Sequence, residues 1–198
     1  MRKFQIAVCT AQNFDGNEKE VEELLREFFK ELEGFNKRIV FLYGGSLGGY
    51  MSLFGRISKE YGFERIAVIP IQFEPEQCNG KIYDKESDIV IKSTQSFGGR
   101  NEMLVRSGDV VLLINGGKFG SGSLVETILA YHNCKRILVL ESSYGLAGML
   151  REYIEKFGHE GYLDIRKKTR IEFFSKAEEL AKRLKELCEE YEEKIKKI

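Results

Sequence analysis

Short apolar segments alternate with longer amphipathic segments along the chain. In the short segments consecutive residues are apolar, which is typical of strands buried on both faces. In the longer segments apolar residues recur every three or four positions, which is typical of helices with one buried face. The pattern predicts strands at residues 4–10, 38–43, 65–71, 88–92, 109–114, 136–141 and 169–174. It predicts helices directly after Asn17 and Ser175 and at residues 50–61, 100–106, 123–132 and 147–157.

This alternation predicts one domain over residues 1–198. Its fold class is α/β, with a doubly wound, mainly parallel sheet that carries helices on both faces. No internal repeat and no linker rich in Pro, Gly or Ser divides the chain. Folds of this kind bind ligands beyond the carboxyl ends of their strands, so the turns from strand to helix are the candidate binding elements. A polar residue followed three positions later by Glu predicts capping boxes at Asn17–Glu20, Ser123–Glu126 and Ser175–Glu178.

Composition narrows the classes of function. The 198 residues are 42% hydrophobic and carry 31 basic and 31 acidic side chains. This balance disfavours a sequence-independent nucleic-acid binder, which needs a basic face. The sequence contains no apolar run of the roughly 18–20 residues that a membrane helix needs. The first predicted strand leaves no room for a signal peptide before it, so we expect a cytoplasmic protein that binds neither membranes nor nucleic acids.

The cysteines and histidines predict no metal site. The chain has four cysteines, Cys9, Cys78, Cys134 and Cys188, which lie far apart and form no CxxC pair. Its two histidines, His132 and His159, form no cluster with ligand spacing. A chain of this length folds without disulfides, so we expect four reduced thiols and a cytosolic location.

The first candidate binding loop runs from Gly44 to Gly49 with the sequence GGSLGG. It follows a predicted buried strand and leads into a helix. Glycines let a backbone approach a phosphate closely, and a helix N-terminus offers unpaired N–H donors to an anion. The same glycines could equally form a tight turn under close packing of helix and sheet. The residues that would contact a ligand are Gly44, Gly45, Ser46, Gly48 and Gly49.

The second candidate loop has the same placement, between a predicted strand and a predicted helix. Two such loops open on the same edge of a parallel sheet, which strengthens the case for a phosphate site. Its candidate ligand-binding residues are Gly116, Gly117, Gly120, Ser121, Gly122, Ser123 and Glu126. Glu126 has two possible roles, since its carboxylate could contact the ligand or could only cap the helix that Ser123 begins.

An arginine forms the third candidate. Arg100 and Asn101 follow the pair Gly98–Gly99 at the start of a predicted short helix. A guanidinium in this position is suited to a phosphate. It could instead be exposed or engaged in an ion pair within the protein.

These three motifs, taken together, resemble the Lonely Guy (LOG) and molybdenum-cofactor-carrier group of Rossmann-like proteins, formerly labelled lysine decarboxylases. The family pattern is roughly YGGGxxGLMG, then R-K or R-N, then PGGxGTxxE, and residues 160–163 resemble its E-G-F-I/L segment. The resemblance implies a site for a mononucleotide or another phosphate-bearing ligand, and it implies a homodimer. The apolar residues of the predicted helix 50–61 also favour a homodimer. In the phosphoribohydrolase members, the residues matching Arg100 and Glu126 carry catalysis.

The chain departs from the family pattern at three places. Asn101 stands where the hydrolases have lysine, Asn115 stands where the loop has proline, and residues 118–121 include three extra residues. These departures favour the carrier-type branch, and hence a module that binds an AMP-like nucleotide or a phosphate-bearing cofactor and requires no further cofactor. The alternative is a phosphoribohydrolase that cleaves the N-glycosidic bond of a nucleoside 5'-monophosphate. A lysine decarboxylase is disfavoured, because Lys118 lies in the inserted part of the second loop and does not suggest a lysine that binds pyridoxal phosphate. Residues 72–87 are long for a connection and could form a lid or a loop over the sheet edge.

Overall fold

The computed structural model describes residues 2–14, 16–70, 87–117, 122–142, 145–157 and 170–197. The candidate lid, the inserted part of the second loop with Gly120 and Ser121, and the segment 160–163 lie outside these residues, apart from Ser87.

A parallel sheet forms the centre of the fold. Its strands are β1 (Phe4–Cys9), β2 (Ile39–Tyr43), β3 (Glu64–Ile69), β4 (Ile89–Lys92), β5 (Val110–Ile114), β6 (Arg136–Leu140) and β7 (Ile171–Phe174). They are ordered β4-β3-β2-β1-β5-β6-β7, and every observed pairing is parallel. The strand order reverses between β1 and β5, where Cys9 pairs with Leu113. The predicted doubly wound α/β fold is therefore confirmed, and the reversal point between β1 and β5 is the expected ligand crevice.

The helices cover both faces of the sheet. They are α1 (Glu18–Glu31), α2 (Gly49–Glu60), α3 (Phe97–Ser107), α4 (Gly122–His132), α5 (Gly145–Phe157) and α6 (Ala177–Lys196). One core contains the buried faces of α1, α2 and α6, and the other contains those of α3, α4 and α5. Along β1, Ile6 and Val8 enter the first core, whereas Ala7 and Cys9 enter the second. Side-chain alternation thus turns Cys9 toward α3 and α4, at the carboxyl end of the strand.

The predicted start of α1 is confirmed without its capping box, and the predicted start of α6 is corrected. Asn17 is the N-cap of α1, but its side chain makes no capping hydrogen bond. Its amide oxygen instead accepts hydrogen bonds from the buried side chains of Tyr50 and Asn115. Ser175 does not cap α6, because Lys176 occupies the N-cap and its carbonyl accepts the Leu180 N–H. Both capping-box predictions are therefore wrong.

The start of α3 also differs from the prediction. The helix begins at Phe97 with Ser96 as its N-cap, so Gly98 and Gly99 lie within its first turn and do not form a loop before it. Arg100 is consequently one turn inside the helix, and it is buried.

The apolar residues of α2 do not form a free surface. Tyr50, Leu53, Phe54 and Ile57 are each at most 4% exposed, because they pack into the first core of the same chain. They therefore give no support to a homodimer. No helix of the described segments has the length and apolar character needed to cross a bilayer. Cys9, Cys134 and Cys188 are free thiols, and Cys78 lies outside the described segments.

Candidate functional site

The first glycine loop lies against the arginine of α3. A methyl group built on Gly44 would come within 3.0 Å of Arg100 Nη1 and of the Met51 side chain. A side chain at this position would force the Arg100 guanidinium and the Met51 side chain to move by a few tenths of an ångström. The Ser46 N–H donates to the Met51 sulfur at 3.1 Å, and Ser46 is itself buried. Arg100 and the first residue of this loop therefore lie side by side.

The second half of this loop packs against the segment that follows β1. A side chain on Gly48 or Gly49 would collide with the backbone of Gln12 and Asn13. The Met51 N–H, in the first turn of α2, donates to the Ala11 carbonyl at 3.0 Å. Gly48 and Gly49 thus allow the neighbouring backbone to pack closely. For this half of the loop, close packing explains the glycines without a ligand.

Arg100 and Glu126 form a buried ion pair. Arg100 Nη1 donates to Glu126 Oε1 at 3.0 Å, and the two side chains are 6% and 4% exposed. The pair joins α3 to α4 on the face of the sheet to which Cys9 points. The Cys9 thiol, at the end of β1, lies close enough to Glu126 that each group shifts the pKa of the other. The carboxylate of Glu126 is therefore paired with the Arg100 side chain of a neighbouring helix.

Burial controls the protonation of this cluster. It raises the pKa of Glu126 to about 7, although the charge and hydrogen bond of Arg100 and the nearby Cys9 thiol act to lower it. Burial also lowers the pKa of Arg100, and burial together with the negative charge of Glu126 raises the pKa of Cys9 well above its usual value. The loss of hydration on burial therefore shifts the pKa values of Glu126 and Arg100 more than their mutual attraction does. The carboxyl group of Glu126 changes its protonation near neutral pH, whereas Cys9 stays a thiol.

Three buried polar atoms near this edge have no hydrogen-bond partner among the residues that the structure describes: Thr10 Oγ1, Arg100 Nε and Asn101 Oδ1. Thr10 directly follows β1, and all three residues are at most 5% exposed. A methyl group on Gly122, the first residue of α4, would lie 3.9 Å from Asn101 Nδ2, so Asn101 faces the start of α4. An unpartnered buried polar group costs about 1–3 kcal/mol, which makes these atoms unusual in a folded protein unless another molecule binds them.

The second loop leaves β5 in a left-handed conformation. Asn115, Gly116 and Gly117 have φ angles of 53°, 81° and 68°, and all three residues are buried. The space beside Gly116 is filled by Leu146 of α5, where a side chain would collide. Gly122 and Ser123 form the first turn of α4, and the Ser123 carbonyl accepts a hydrogen bond from Thr127.

Sequence analysis missed several residues that the fold brings to this edge. Cys9 is the last residue of β1, Thr10 and Asn17 lie between β1 and α1, and Tyr50 lies at the start of α2. The signal that could have found them is their place in the chain, since β1 borders the reversal point and its turn must lie beside the second loop. The described residues contain no cluster of three or more His, Cys, Asp or Glu side chains that could hold a metal ion.

Comparison with known protein families identifies the chain. The family model described as the SLOG cluster4 family matches residues 5–174. The chain belongs to the SLOG cluster4 family. This agrees with the LOG-like and carrier-like resemblance of the three sequence motifs. No curated protein sequence matches the chain significantly.

Solved structures of the same fold include molybdenum-cofactor proteins. The X-ray structure of the structural-genomics target TM1055 is 21% identical, with a TM-score of 0.68 over 94% of this chain and 99% of that one. The molybdenum cofactor binding protein of Rippkaea orientalis is 21% identical, with a TM-score of 0.65 over 94% of this chain and 98% of that one. The molybdenum cofactor carrier protein of Chlamydomonas reinhardtii is 18% identical, with a TM-score of 0.66 over the same shares. At these identities the likeness establishes the fold.

Proposed function

We propose that this SLOG-family protein binds a small phosphate-bearing ligand, either a mononucleotide or a cofactor, at the carboxyl edge of its sheet. The ligand lies between the two glycine loops, beside Arg100, and the protein carries it without changing it. The carrier proteins of the same fold support a cofactor-like ligand, and the motifs at Arg100 and Asn101 are of the carrier type.

The observation that carries this proposal is the set of unpartnered polar atoms at the edge. Thr10, Arg100 and Asn101 each bury a hydrogen-bonding atom that no group of the described segments satisfies. A ligand with donors and acceptors would satisfy these atoms and recover their desolvation cost. A phosphate would accept from Arg100 Nε, and hydroxyl or amino groups of the ligand would donate to Asn101 and Thr10.

The molybdenum cofactor fits this donor and acceptor set. It is a phosphorylated pterin, so it combines a phosphate with a ring rich in N–H groups. Arg100 would hold the phosphate, and Asn101 would accept from the ring. When bound, the cofactor would supply redox chemistry to an acceptor enzyme, whereas this chain would bind it, orient it and exclude water from it.

Removal of the Asn101 amide tests the proposal. We expect Asn101→Leu to stabilise the unliganded protein, because an unsatisfied buried acceptor is removed, and to weaken AMP binding about tenfold, the loss of one good hydrogen bond. Thermal unfolding and calorimetric titration with AMP and with inorganic phosphate measure the two effects. Molybdenum and phosphate content of protein purified under anaerobic conditions tests the cofactor directly.

Tyr191→Phe is the matched control for this experiment. The Tyr191 hydroxyl is also buried without a partner, but its ring packs on Phe4 at the opposite end of β1. This variant should leave ligand affinity unchanged. Absence of AMP, phosphate and molybdenum binding by the wild type would rule out the proposed function. An Asn101→Leu variant that binds AMP as tightly as the wild type would rule out a role for Asn101.

The buried carboxyl group of Glu126 favours a second candidate function, that of a phosphoribohydrolase. Cleavage of an N-glycosidic bond passes through an oxocarbenium-like transition state, which a nearby carboxylate stabilises. Glu126 would be this carboxylate, with Arg100 beside the phosphate. Incubation of the protein with AMP, followed by chromatography for free adenine, separates the two functions. Release of adenine by the wild type but not by Glu126→Gln would establish the enzyme. Recovery of intact AMP after incubation with the wild type would favour the binding function.

We further propose a homodimer, which the family resemblance supports. The apolar side chains Phe97 and Met103 of α3 and Val125 and Ile128 of α4 are 37–48% exposed. Light scattering at micromolar concentration should give twice the monomer mass, and Val125→Asp combined with Ile128→Asp should give the monomer mass. A monomeric wild type would contradict this proposal.

A further inference from the structure

Asn115 occupies an unusual backbone conformation at the reversal point of the sheet. It directly follows β5, is fully buried and has a φ of 53°. Among the described residues only Asn115 and Cys134 combine a positive φ with a side chain. Proline cannot adopt this conformation, because its ring fixes φ near −65°. A proline at this position could therefore not adopt the backbone conformation observed for Asn115.

The side chain and carbonyl of Asn115 join several parts of the site. Its amide oxygen accepts from the Gly117 N–H at 2.8 Å, and its amide nitrogen donates to Asn17 Oδ1 at 3.2 Å. The same Asn17 oxygen accepts from the Tyr50 hydroxyl at 2.5 Å. The Asn115 carbonyl accepts from the Ala147 N–H of α5 at 2.8 Å. A chain of buried hydrogen bonds thus runs from the second glycine loop, through the start of α1, to the start of α2.

This series of hydrogen bonds reaches the end of the first glycine loop. Tyr50 follows Gly49 directly, and the next residue, Met51, donates its N–H to the Ala11 carbonyl in the turn after β1. The segment around Asn17 is therefore bound both to α2 and to the second loop. Buried polar networks of this kind, when their members are satisfied, fix a single arrangement of the elements that they join.

We propose that Asn115 is a positioning residue that holds the two glycine loops in one geometry through Asn17 and Tyr50. The proposal rests on the proposed function, since it assigns to this network the alignment of both loops on one ligand. It also explains why the position carries asparagine. Glycine would adopt the same φ without strain, so the backbone conformation alone does not call for an amide side chain.

Amide hydrogen exchange of the unliganded protein tests this coupling without any ligand. We expect Asn115→Gly to increase exchange at Met51, on the far side of the network, by about tenfold, the effect of one lost buried hydrogen bond. Tyr50→Phe removes only the hydroxyl, and it should increase exchange at Gly117 by a similar factor. Cys134→Gly is the control, because it makes the same backbone change at an exposed position, and it should alter neither amide.

A purely local role for Asn115 predicts a different result. In that case Asn115→Gly would change exchange at Gly117 alone, and Tyr50→Phe would leave Gly117 unchanged. The proposal requires that both distant amides respond, so failure of either one overturns it.

AMP affinity provides the second readout. We expect Asn115→Gly and Tyr50→Phe each to weaken AMP binding by roughly five- to tenfold, while Cys134→Gly binds as the wild type does. Equal binding by wild type and Asn115→Gly would overturn the role of the network in ligand alignment. A wild type that binds no AMP would contradict the mononucleotide form of the proposed function, and the exchange data would still decide whether Asn115 couples the loops.

Discussion

Replacement of Arg100 by methionine should lower the free energy of unfolding by about 3–5 kcal/mol at pH 8, the range for removal of one partner of a buried ion pair. Methionine fills a similar volume but leaves Glu126 buried without its cation. At this pH Glu126 is ionised in the wild type, since its pKa is about 7. The variant must therefore bury a lone carboxylate or take up a proton, and both cost free energy.

The same substitution should cost much less at pH 5.5. The pKa of Glu126 in the folded protein lies above that in the unfolded chain, so folding favours its protonated form and the wild type loses stability as the pH rises from about 4.5 to 7. Removal of Arg100 raises the pKa of Glu126 further. The variant therefore continues to lose stability above pH 7, where ionisation of Glu126 no longer lowers the stability of the wild type. Below pH 6 the carboxyl group is neutral in both proteins. Urea unfolding of wild type and variant at pH 5.5 and pH 8 measures the difference.

Arg106→Met is the matched control on the same helix. Arg106 pairs with Glu102, and both side chains are about half exposed or more. Its removal should cost less than about 1 kcal/mol at either pH, as expected for a surface pair. The double variant Arg100→Met with Glu126→Gln should recover much of the stability at pH 8. An Arg100→Met effect that is the same at both pH values would show that Glu126 is not the group that titrates.

The fold was predictable because strands β2 and β5, near the centre of the sheet, are apolar throughout. All five residues of β2 and of β5 are buried, so the segments IVFLY and VVLLI could only be strands covered on both sides. The helix boundaries depended on weaker signals. The sequence Gly98–Gly99 disfavours a helix intrinsically, yet packing of Leu104 and Val105 into the second core extends α3 back to Phe97.

The site was predictable only in part. Glycine loops and a neighbouring arginine are recognisable from sequence, because few other arrangements use glycines between a buried strand and a helix. The partners of these residues depend on contacts between distant segments. Asn17 and Asn115 are 98 positions apart, and nothing in the residues around either one indicates that their amides meet. The pairing of Arg100 with Glu126 likewise depends on how α3 packs against α4.

Gly49→Ala should be the most damaging change within the first glycine loop. Gly49 has a φ of 58°, and a Cβ there would lie 2.4 Å from the Asn13 nitrogen and from the Gln12 carbonyl carbon. The left-handed conformation alone costs an alanine about 1–2 kcal/mol, and displacement of the backbone at Gln12 adds to it. We expect a total loss of about 2–4 kcal/mol in the free energy of unfolding.

Gly98→Ala is the matched control, and it should have the opposite sign. Gly98 lies in the first turn of α3, has no positive φ, and a Cβ there would meet no atom within 4 Å. Alanine at this position should raise the free energy of unfolding by up to about 1 kcal/mol, because it restricts the unfolded chain and favours the helix. Denaturant unfolding of both variants decides the role of Gly49. A small effect of Gly49→Ala would mean that the segment after β1 does not hold the start of α2, and the glycine would then be explained by ligand approach instead.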